Sequence, residues 1–292
     1  MHNPNKFMER EALNNQRNEL TEKLAFAAEH KIPWNFGNRS RSEVVGAKCD
    51  KHGNYEQFVV IGKDFRGNET RLSSQCPACI QNSIDHVDAQ LRSMKVSDLL
   101  EKAGVARRFE HCDFDNYKPV NDAAQKNLST CRRYADSWKE RLKAGTGLVF
   151  TGSCGTGKNH LAVSITKKII HDHLARVAIT DVMRITRAVK STWRNNSEST
   201  EDDVLDYYIG LDLLIIDEVG VQLGTPSEMT ILQEVINARY ESVLPTILIS
   251  NLTFEQLQES IGERIVDRVT DGGSNKLAFN WESYRKQTGA NG

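Results

Sequence analysis

The 292-residue sequence has no apolar run that approaches the roughly 18 residues needed to cross a bilayer. Its N-terminus lacks the apolar core that a secretion signal requires. Internal repeats and low-complexity tracts are also absent. These absences argue against a membrane-spanning, secreted or repeat protein, and we expect the chain to remain in the cytoplasm without a membrane partner.

An excess of charge of one sign is also absent. The sequence has 38 Lys and Arg residues and 39 Asp and Glu residues, which gives a formal net charge of −1. Any binding of nucleic acid must therefore depend on a local basic surface rather than on a global field. The chain has only six cysteines, which in a cytoplasmic protein argue against a disulfide scaffold. Its length allows one large domain or two modest ones.

What the sequence does contain is a glycine-rich loop. Residues 152–159 match the phosphate-binding pattern G-x-x-x-x-G-K-[ST] except at the last position. Residues 147–151 predict a buried strand before the loop, and Leu161 and Ile165 recur at helical spacing after it. Backbone N–H groups of such a loop wrap phosphate oxygens, and its lysine reaches the β- and γ-phosphates. The predicted ATP-binding residues are Gly152, Ser153, Cys154, Gly155, Thr156, Gly157, Lys158 and Asn159.

Asn159 stands where the pattern has the hydroxyl residue that holds Mg²⁺. An amide oxygen can take that role directly or through water. The substitution predicts slow hydrolysis, suited to a timed switch rather than a motor.

A second motif follows about sixty residues later, where a run of aliphatic residues ends in two carboxylates. Residues 211–216 predict a buried parallel strand. Asp217 and Glu218 then lie at its carboxyl end, where open α/β sheets bind ligands. We predict that Asp217 holds Mg²⁺ together with Asn159, and that Glu218 is the general base for the attacking water.

These motifs predict an α/β P-loop ATPase domain with a five-stranded parallel sheet, preceded by a small helical and zinc-binding N-terminal region. The predicted strands lie near residues 148–151, 176–180, 211–217, 245–250 and 275–279. The predicted divisions are an N-terminal helical region at 1–46, a zinc-binding module at 47–81, a linker helix at 82–105 and the ATPase domain at 106–292.

The zinc prediction comes from two chelating pairs, Cys49 with His52 and Cys76 with Cys79. Residues 55–61 between them alternate as in a strand and lead into a hairpin turn. Two such pairs joined by a hairpin are typical of a tetrahedral Cys₃His zinc site. The metal would then supply folding energy to a segment that is too small for a core of its own.

A basic segment, Asp181–Asn196, lies between the two nucleotide motifs. Bases stack on aromatic rings while cations follow the phosphates, so a tryptophan among cations indicates a single-stranded DNA site. The alternative is a solvated basic helix whose tryptophan packs into the core. The candidate DNA-binding residues are Arg187, Lys190, Trp193 and Arg194.

Five stretches of the sequence resemble the DnaC-type replicative helicase loaders of the AAA+ initiator clade, a group that includes DnaC, DnaI and IstB-like ATPases. The sequence Gly-Lys-Asn-His at the end of the loop is typical of those loaders. The zinc-bearing N-terminal region looks more like the DnaI-type loaders and some phage replication proteins. The resembling stretches are residues 109–117, 155–162, 213–222, 262–268 and 279–285.

The resemblance implies roles for further residues. Asn251 matches the sensor-1 position, which contacts the γ-phosphate or positions water. Arg268 matches the arginine finger, which acts on the ATP of a neighbouring subunit, and Arg264 and Arg239 are the next candidates. Arg285 matches the sensor-2 arginine.

The resemblance also implies a function and its cofactors, ATP, Mg²⁺ and Zn²⁺. Such a protein binds a DnaB-like hexameric replicative helicase through its N-terminal region and places it on single-stranded DNA. It assembles into an ATP-dependent ring or spiral, and single-stranded DNA stimulates its hydrolysis. One alternative is an IstB-type transposition helper ATPase that binds double-stranded DNA. Another is a zinc-dependent adaptor that binds nucleotide without turning it over.

Overall fold

The structure is a computed structural model that describes residues 4–32, 40–63, 68–194, 198–220, 225–270 and 275–284. The chain divides into two compact units, Met1–Lys95 and Val96–Gly292. The division falls inside the segment that the sequence assigns to a linker helix. No helix among the described residues is long and apolar enough to cross a membrane.

The first unit contains helix α1, a three-stranded antiparallel sheet in the order β1-β2-β3, and the start of helix α2. Their bounds are α1 Pro4–Ala28, β1 Arg41–Cys49, β2 Gly53–Lys63, β3 Glu69–Ser73 and α2 Pro77–Lys102. The sequence did not predict β1. Most of its side chains are exposed, so it lacks the apolar alternation by which a strand is recognised.

The linker helix begins earlier than predicted, because α2 starts at Pro77 rather than at residue 82. Proline is favoured at a first helical position, where its missing N–H costs nothing. Cys79 therefore lies in the first turn of a helix. The cores of this unit are small: Phe26 packs on Phe58 of β2, and Ala27 packs on α2.

The second unit is a five-stranded parallel sheet in the order β5-β6-β7-β4-β8. All five predicted strands are present, with small shifts at their ends. The strands are β4 Leu148–Gly152, β5 Val177–Asp181, β6 Leu213–Asp217, β7 Thr246–Ile249 and β8 Lys276–Phe279. The described helices of this unit that follow α2 are α3 Asp122–Asp136, α4 Trp138–Ala144, α5 Lys158–His173, α6 Val182–Thr192, α7 Glu201–Ile209, α8 Pro226–Glu241, α9 Phe254–Ile261 and α10 Glu263–Thr270.

Helices cover both faces of this sheet, as the aliphatic strands require. In β6, Leu213 and Ile215 join the core under α3 and α5, while Leu214 and Ile216 join the core under α6, α8 and α10. The strands are parallel, so β4 and β6 both end at one edge of the sheet. That edge is where the two nucleotide motifs meet.

Candidate functional sites

The glycine loop connects the end of β4 to the start of α5. Gly152 and Gly157 have φ values of +119° and +97°, in the region that side chains rarely adopt. A Cβ atom on Gly157 would lie 2.7 Å from Cε2 of Tyr117, and one on Gly152 would overlap the carbonyl oxygen of Phe279. Both positions therefore require glycine, because Tyr117 and the end of β8 pack directly against the loop backbone.

Lys158 is buried against this loop. Its Nζ donates to the carbonyl oxygens of Gly152 at 2.7 Å and Ser153 at 2.8 Å. Burial lowers the pKa of this ammonium group, while Cys154 and Asp217 act in the opposite direction. A buried cation that neutral carbonyls hold in place favours an anion beside it.

The two residues predicted to hold Mg²⁺ are in contact. Asn159 Nδ2 donates to Asp217 Oδ2 at 2.7 Å, and the Glu218 N–H donates to Asp217 Oδ1 at 2.7 Å. Each carboxylate oxygen retains a second lone pair, and the amide oxygen of Asn159 is not used in this contact. Asn159 thus orients Asp217 besides offering an oxygen of the type that Mg²⁺ prefers.

Glu218 and Asn251 lie beside the same loop, in a cavity of about 570 Å³ that also contains Lys158 and Asp217. Glu218 is exposed and has a φ of +56°. For a residue other than glycine this conformation is strained, and such strain clusters at functional sites. The structure therefore brings the phosphate loop, the acidic pair and Asn251 together.

Several side chains of this cavity were not predicted. Tyr117 and His160 meet edge-on with their ring centroids 5.1 Å apart, and burial raises the pKa of Tyr117 to about 12. Trp281, Tyr284 and Arg108 also line the cavity. They come from segments before and after the nucleotide motifs, and no local pattern marks them as ligand-binding. The one sequence feature that could have indicated them is that some of them lie in the stretches that resemble the DnaC-type loaders.

The basic segment forms α6, with Asp181 capping it by accepting from the Arg184 N–H at 2.7 Å. Trp193, just after the helix, is 57% exposed, and its Nε1 donates to Glu201 Oε2 at 2.8 Å. The alternative in which this tryptophan packs into the core is therefore wrong. The cations around it are Arg187 and Arg194, which are exposed, and Lys190, which is half-buried.

The four predicted zinc ligands converge in the first unit, with all ligand atoms within 4.8 Å of one another. His52 Nδ1 lies 3.6 Å from the sulfurs of Cys49 and Cys76 and 3.3 Å from that of Cys79. The sulfurs of Cys49 and Cys79 are 3.5 Å apart. A tetrahedral zinc ion with bonds of about 2.0 Å to nitrogen and 2.3 Å to sulfur implies ligand separations of about 3.5 to 3.8 Å. The cluster fits zinc.

The surroundings of the cluster also suit a metal. N–H groups of Lys51 and His52 lower the pKa of the Cys49 thiol to about 6. The hydrogen bond that the Cys79 thiol donates to the Cys49 sulfur raises the pKa of Cys79 to about 11, a penalty that the charge of a bound metal removes. The Asn82 amide nitrogen lies 3.1 Å from His52 Nε2. With zinc on Nδ1, Nε2 carries the proton, and a rotated Asn82 amide presents its oxygen as acceptor.

Comparison with known proteins gives the family. A model of the family described as IstB-like ATP binding protein matches residues 68–291. The chain belongs to this family. The α/β P-loop fold that the motifs predicted is also confirmed, because the crystal structure of the DnaC helicase loader matches with a TM-score of 0.53 over 59% of this chain and 99% of that chain. The sequence identity in that match is 23%, so the likeness concerns the fold alone.

Two relatives that are named as replicative helicase loaders are similar to this IstB-like protein over most of their length. DnaC of Buchnera aphidicola subsp. Acyrthosiphon pisum is 32% identical over 209 residues, which are 72% of this chain and 83% of that protein. DnaC of Escherichia coli K12 is 32% identical over 201 residues, which are 69% and 80% of the two chains. The resemblance to DnaC-type proteins inferred from the motifs is thus confirmed.

The arginines that the family resemblance singled out lie in different environments. Arg268 on α10 donates to Asn237 Oδ1, and its guanidinium lies 5.3 Å from the ring centroid of Tyr240. Arg264 on the same helix is exposed. Neither is among the described residues that line the nucleotide cavity. Arg285 falls outside the described residues.

Arg239 is excluded as an arginine finger in this IstB-like protein, because its side chain is completely buried. Its Nε donates to the Thr246 hydroxyl at 3.0 Å. Burial lowers the pKa of the guanidinium to about 10. The guanidinium also donates at 2.6 to 2.9 Å to the carbonyl oxygens of Tyr208, Ile209, Leu211 and Pro245. Such a side chain cannot reach another subunit, and it ties α8 to the end of α7 and to the loops before β6 and β7.

We expect Arg239→Met to lower the free energy of unfolding by about 3 to 5 kcal/mol, because it leaves buried carbonyl groups without donors. Chemical denaturation of the full chain measures this change. The control is Arg264→Met, an exposed change that should alter stability by no more than about 0.5 kcal/mol. A loss below about 1 kcal/mol for Arg239→Met would show that water or backbone shifts replace these hydrogen bonds.

Proposed function

We propose that this IstB-like protein is an ATP-dependent loader that binds a DnaB-like hexameric replicative helicase and places it on single-stranded DNA during replication initiation. The observation that carries the proposal is a cavity that joins the phosphate loop, Asp217, Glu218 and Asn251, in a chain that is 32% identical over 209 residues to a named replicative helicase loader.

In this proposal the cavity binds and hydrolyses ATP. The loop N–H groups and Lys158 bind the phosphates, and Asp217 with Asn159 holds Mg²⁺, which supplies positive charge beside them. Glu218 takes the proton from the attacking water. Asn251 positions that water or contacts the γ-phosphate. With an amide in place of the usual hydroxyl, hydrolysis is slow and times the release of the loader.

Assembly follows from the arginines of α10. Arg268 lies outside its own cavity lining, so it serves as the finger only if it reaches the ATP of a neighbouring subunit. It must then leave its contacts with Asn237 and Tyr240. ATP binding would in this way favour a ring or spiral of subunits. Arg285 would contact phosphate in its own subunit.

The DNA contact of the proposal is the surface around α6. Trp193 exposes a ring for base stacking, and Arg187 and Arg194 expose cations for the phosphates. Lys190 adds a half-buried cation to the same stretch. Such a surface binds a single strand with little sequence preference and stimulates hydrolysis when it is occupied.

A complex with the helicase is the first expected result. The N-terminal region grips the helicase in this proposal, so the full chain mixed with the host's replicative helicase, ATP and Mg²⁺ should elute as one species heavier than the helicase hexamer. Light scattering after gel filtration gives its mass. Omission of ATP is the control and should lower the mass. Failure to form a complex, also with any helicase encoded beside this chain, would contradict the loader proposal.

A second candidate is a transposition helper, which the IstB name of the family model favours. That function requires double-stranded DNA and a transposase. Competition between single- and double-stranded oligonucleotides of equal length separates the two candidates. Measurable hydrolysis of ATP would further exclude an adaptor that only binds nucleotide.

A further inference from the structure

The segment after β8 is fastened to the phosphate loop at two adjacent carbonyl groups. Trp281 Nε1 donates to the carbonyl oxygen of Thr156 at 3.1 Å. The backbone N–H of Tyr284 donates to the carbonyl oxygen of Gly155 at 3.0 Å. The segment lies close against the loop, because a Cβ atom on Gly155 would overlap Ser283. We call this pair of hydrogen bonds the clasp.

The clasp determines which way two loop amides face. All described peptide bonds are trans, and in a planar trans peptide the C=O of one residue and the N–H of the next point in opposite directions. A donor on the Gly155 carbonyl therefore directs the Thr156 N–H away from the clasp. A donor on the Thr156 carbonyl does the same for the Gly157 N–H.

These two N–H groups belong to the part of the loop that wraps phosphate oxygens. Gly155 and Gly157 have φ values of +77° and +97°, so each of the two peptides adjoins one glycine and is restricted by a side-chain-bearing residue only at Thr156. The Thr156 hydroxyl donates to the Ser153 carbonyl oxygen at 2.8 Å, which holds that side chain but leaves each peptide some freedom on its glycine side. The clasp removes this freedom before the ligand arrives, which reduces the entropy lost on binding.

We infer that Trp281 is a positioning residue that holds the Thr156–Gly157 peptide in its phosphate-binding orientation. Its ring is placed for this by Phe279, whose ring centroid is 5.2 Å away. Phe279 is fully buried at the end of β8, so the donor is anchored in the sheet. The inference rests on ATP binding in the proposed function and is independent of helicase and DNA.

The test replaces Trp281 with phenylalanine, which keeps an aromatic ring beside Phe279 and removes the N–H donor. Calorimetry of the full chain measures binding of three probes: MgATP, magnesium tripolyphosphate and adenosine. Loss of one hydrogen bond to the loop should weaken MgATP and tripolyphosphate by about five- to tenfold, with adenosine unchanged. Tyr207→Phe, an exposed aromatic change on α7, is the control.

Each other outcome overturns the inference. Unchanged tripolyphosphate affinity would show that the Trp281 donor does not position the amides, and a loss for adenosine and MgATP alone would make Trp281 a contact of the base. An equal loss for all three probes would give Trp281 a general structural role in place of a positioning one, since a lower folded fraction scales every affinity alike. Failure of the unsubstituted protein to bind MgATP would contradict the proposed function itself.

Discussion

Replacing Glu218 with glutamine is expected to lower the rate of ATP hydrolysis by about 100- to 10,000-fold and to leave ATP affinity nearly unchanged. Glutamine has the shape of glutamate but cannot accept a proton from water at neutral pH. The phosphate loop and Lys158 are untouched, so binding persists. Phosphate release under saturating ATP measures the rate, and calorimetry measures the affinity.

The substitution should change the chemistry of residue 218 without changing the strain of its backbone. Glu218 already has a φ of +56°. Glutamine bears the same backbone strain, because its Cβ and Cγ atoms are those of glutamate. Glu259→Gln, at an exposed position of α9, is the matched control and should hydrolyse ATP at the normal rate. Full activity of Glu218→Gln would show that another group activates the water. Parallel loss of binding would assign Glu218 a role in holding the nucleotide.

Replacing Cys76 with serine is expected to abolish zinc binding and to unfold much of the first unit. A hydroxyl group is not a thiolate, so the cluster keeps three ligands of its four. Structural zinc contributes about 10 to 16 kcal/mol of apparent binding free energy in small domains. The apolar clusters of this unit are small and offset little of that loss. Metal analysis and hydrogen exchange in β1, β2 and β3 measure the two effects.

The unsubstituted chain should hold about one zinc ion, and Cys154→Ser is the control. Cys154 is exposed and lies in the phosphate loop rather than in the cluster. Zinc content and protection of the sheet should therefore stay normal in that variant. Purified protein without zinc, or full zinc occupancy in Cys76→Ser, would contradict the four-ligand assignment.

The strands and the central part of the nucleotide site were predictable because their signals are local. A phosphate loop binds through consecutive backbone amides, so its glycines and lysine appear within eight letters of sequence, 152–159. Strand β6 is buried on both faces and is therefore uninterrupted in its aliphatic residues. Asp217 and Glu218 follow it directly. Strand β1 was missed for the opposite reason, since its exposed side chains carry no pattern.

Residue type alone did not separate the arginines. Arg239 and Arg268 look alike in sequence, and both were candidates for the finger. The fold buries Arg239 among backbone carbonyls and leaves Arg268 on a half-buried surface. The five N–H donors of an arginine can bind acceptors in the protein interior or on another molecule. Only the positions of those acceptors in the fold decide between a structural arginine and one that contacts a ligand.

The sequence by itself determined the local motifs of this protein: the phosphate loop, the acidic strand end and the two pairs of candidate zinc ligands, because the spacing within each motif is set by short-range geometry. Tertiary structure alone decided which distant residues join them. It placed Tyr117 under Gly157, Trp281 on the loop carbonyl and Trp193 at the surface. These contacts span long separations in the chain and depend on how helices and strands pack. Because packing sums many small contacts over the whole domain, no local pattern encodes it.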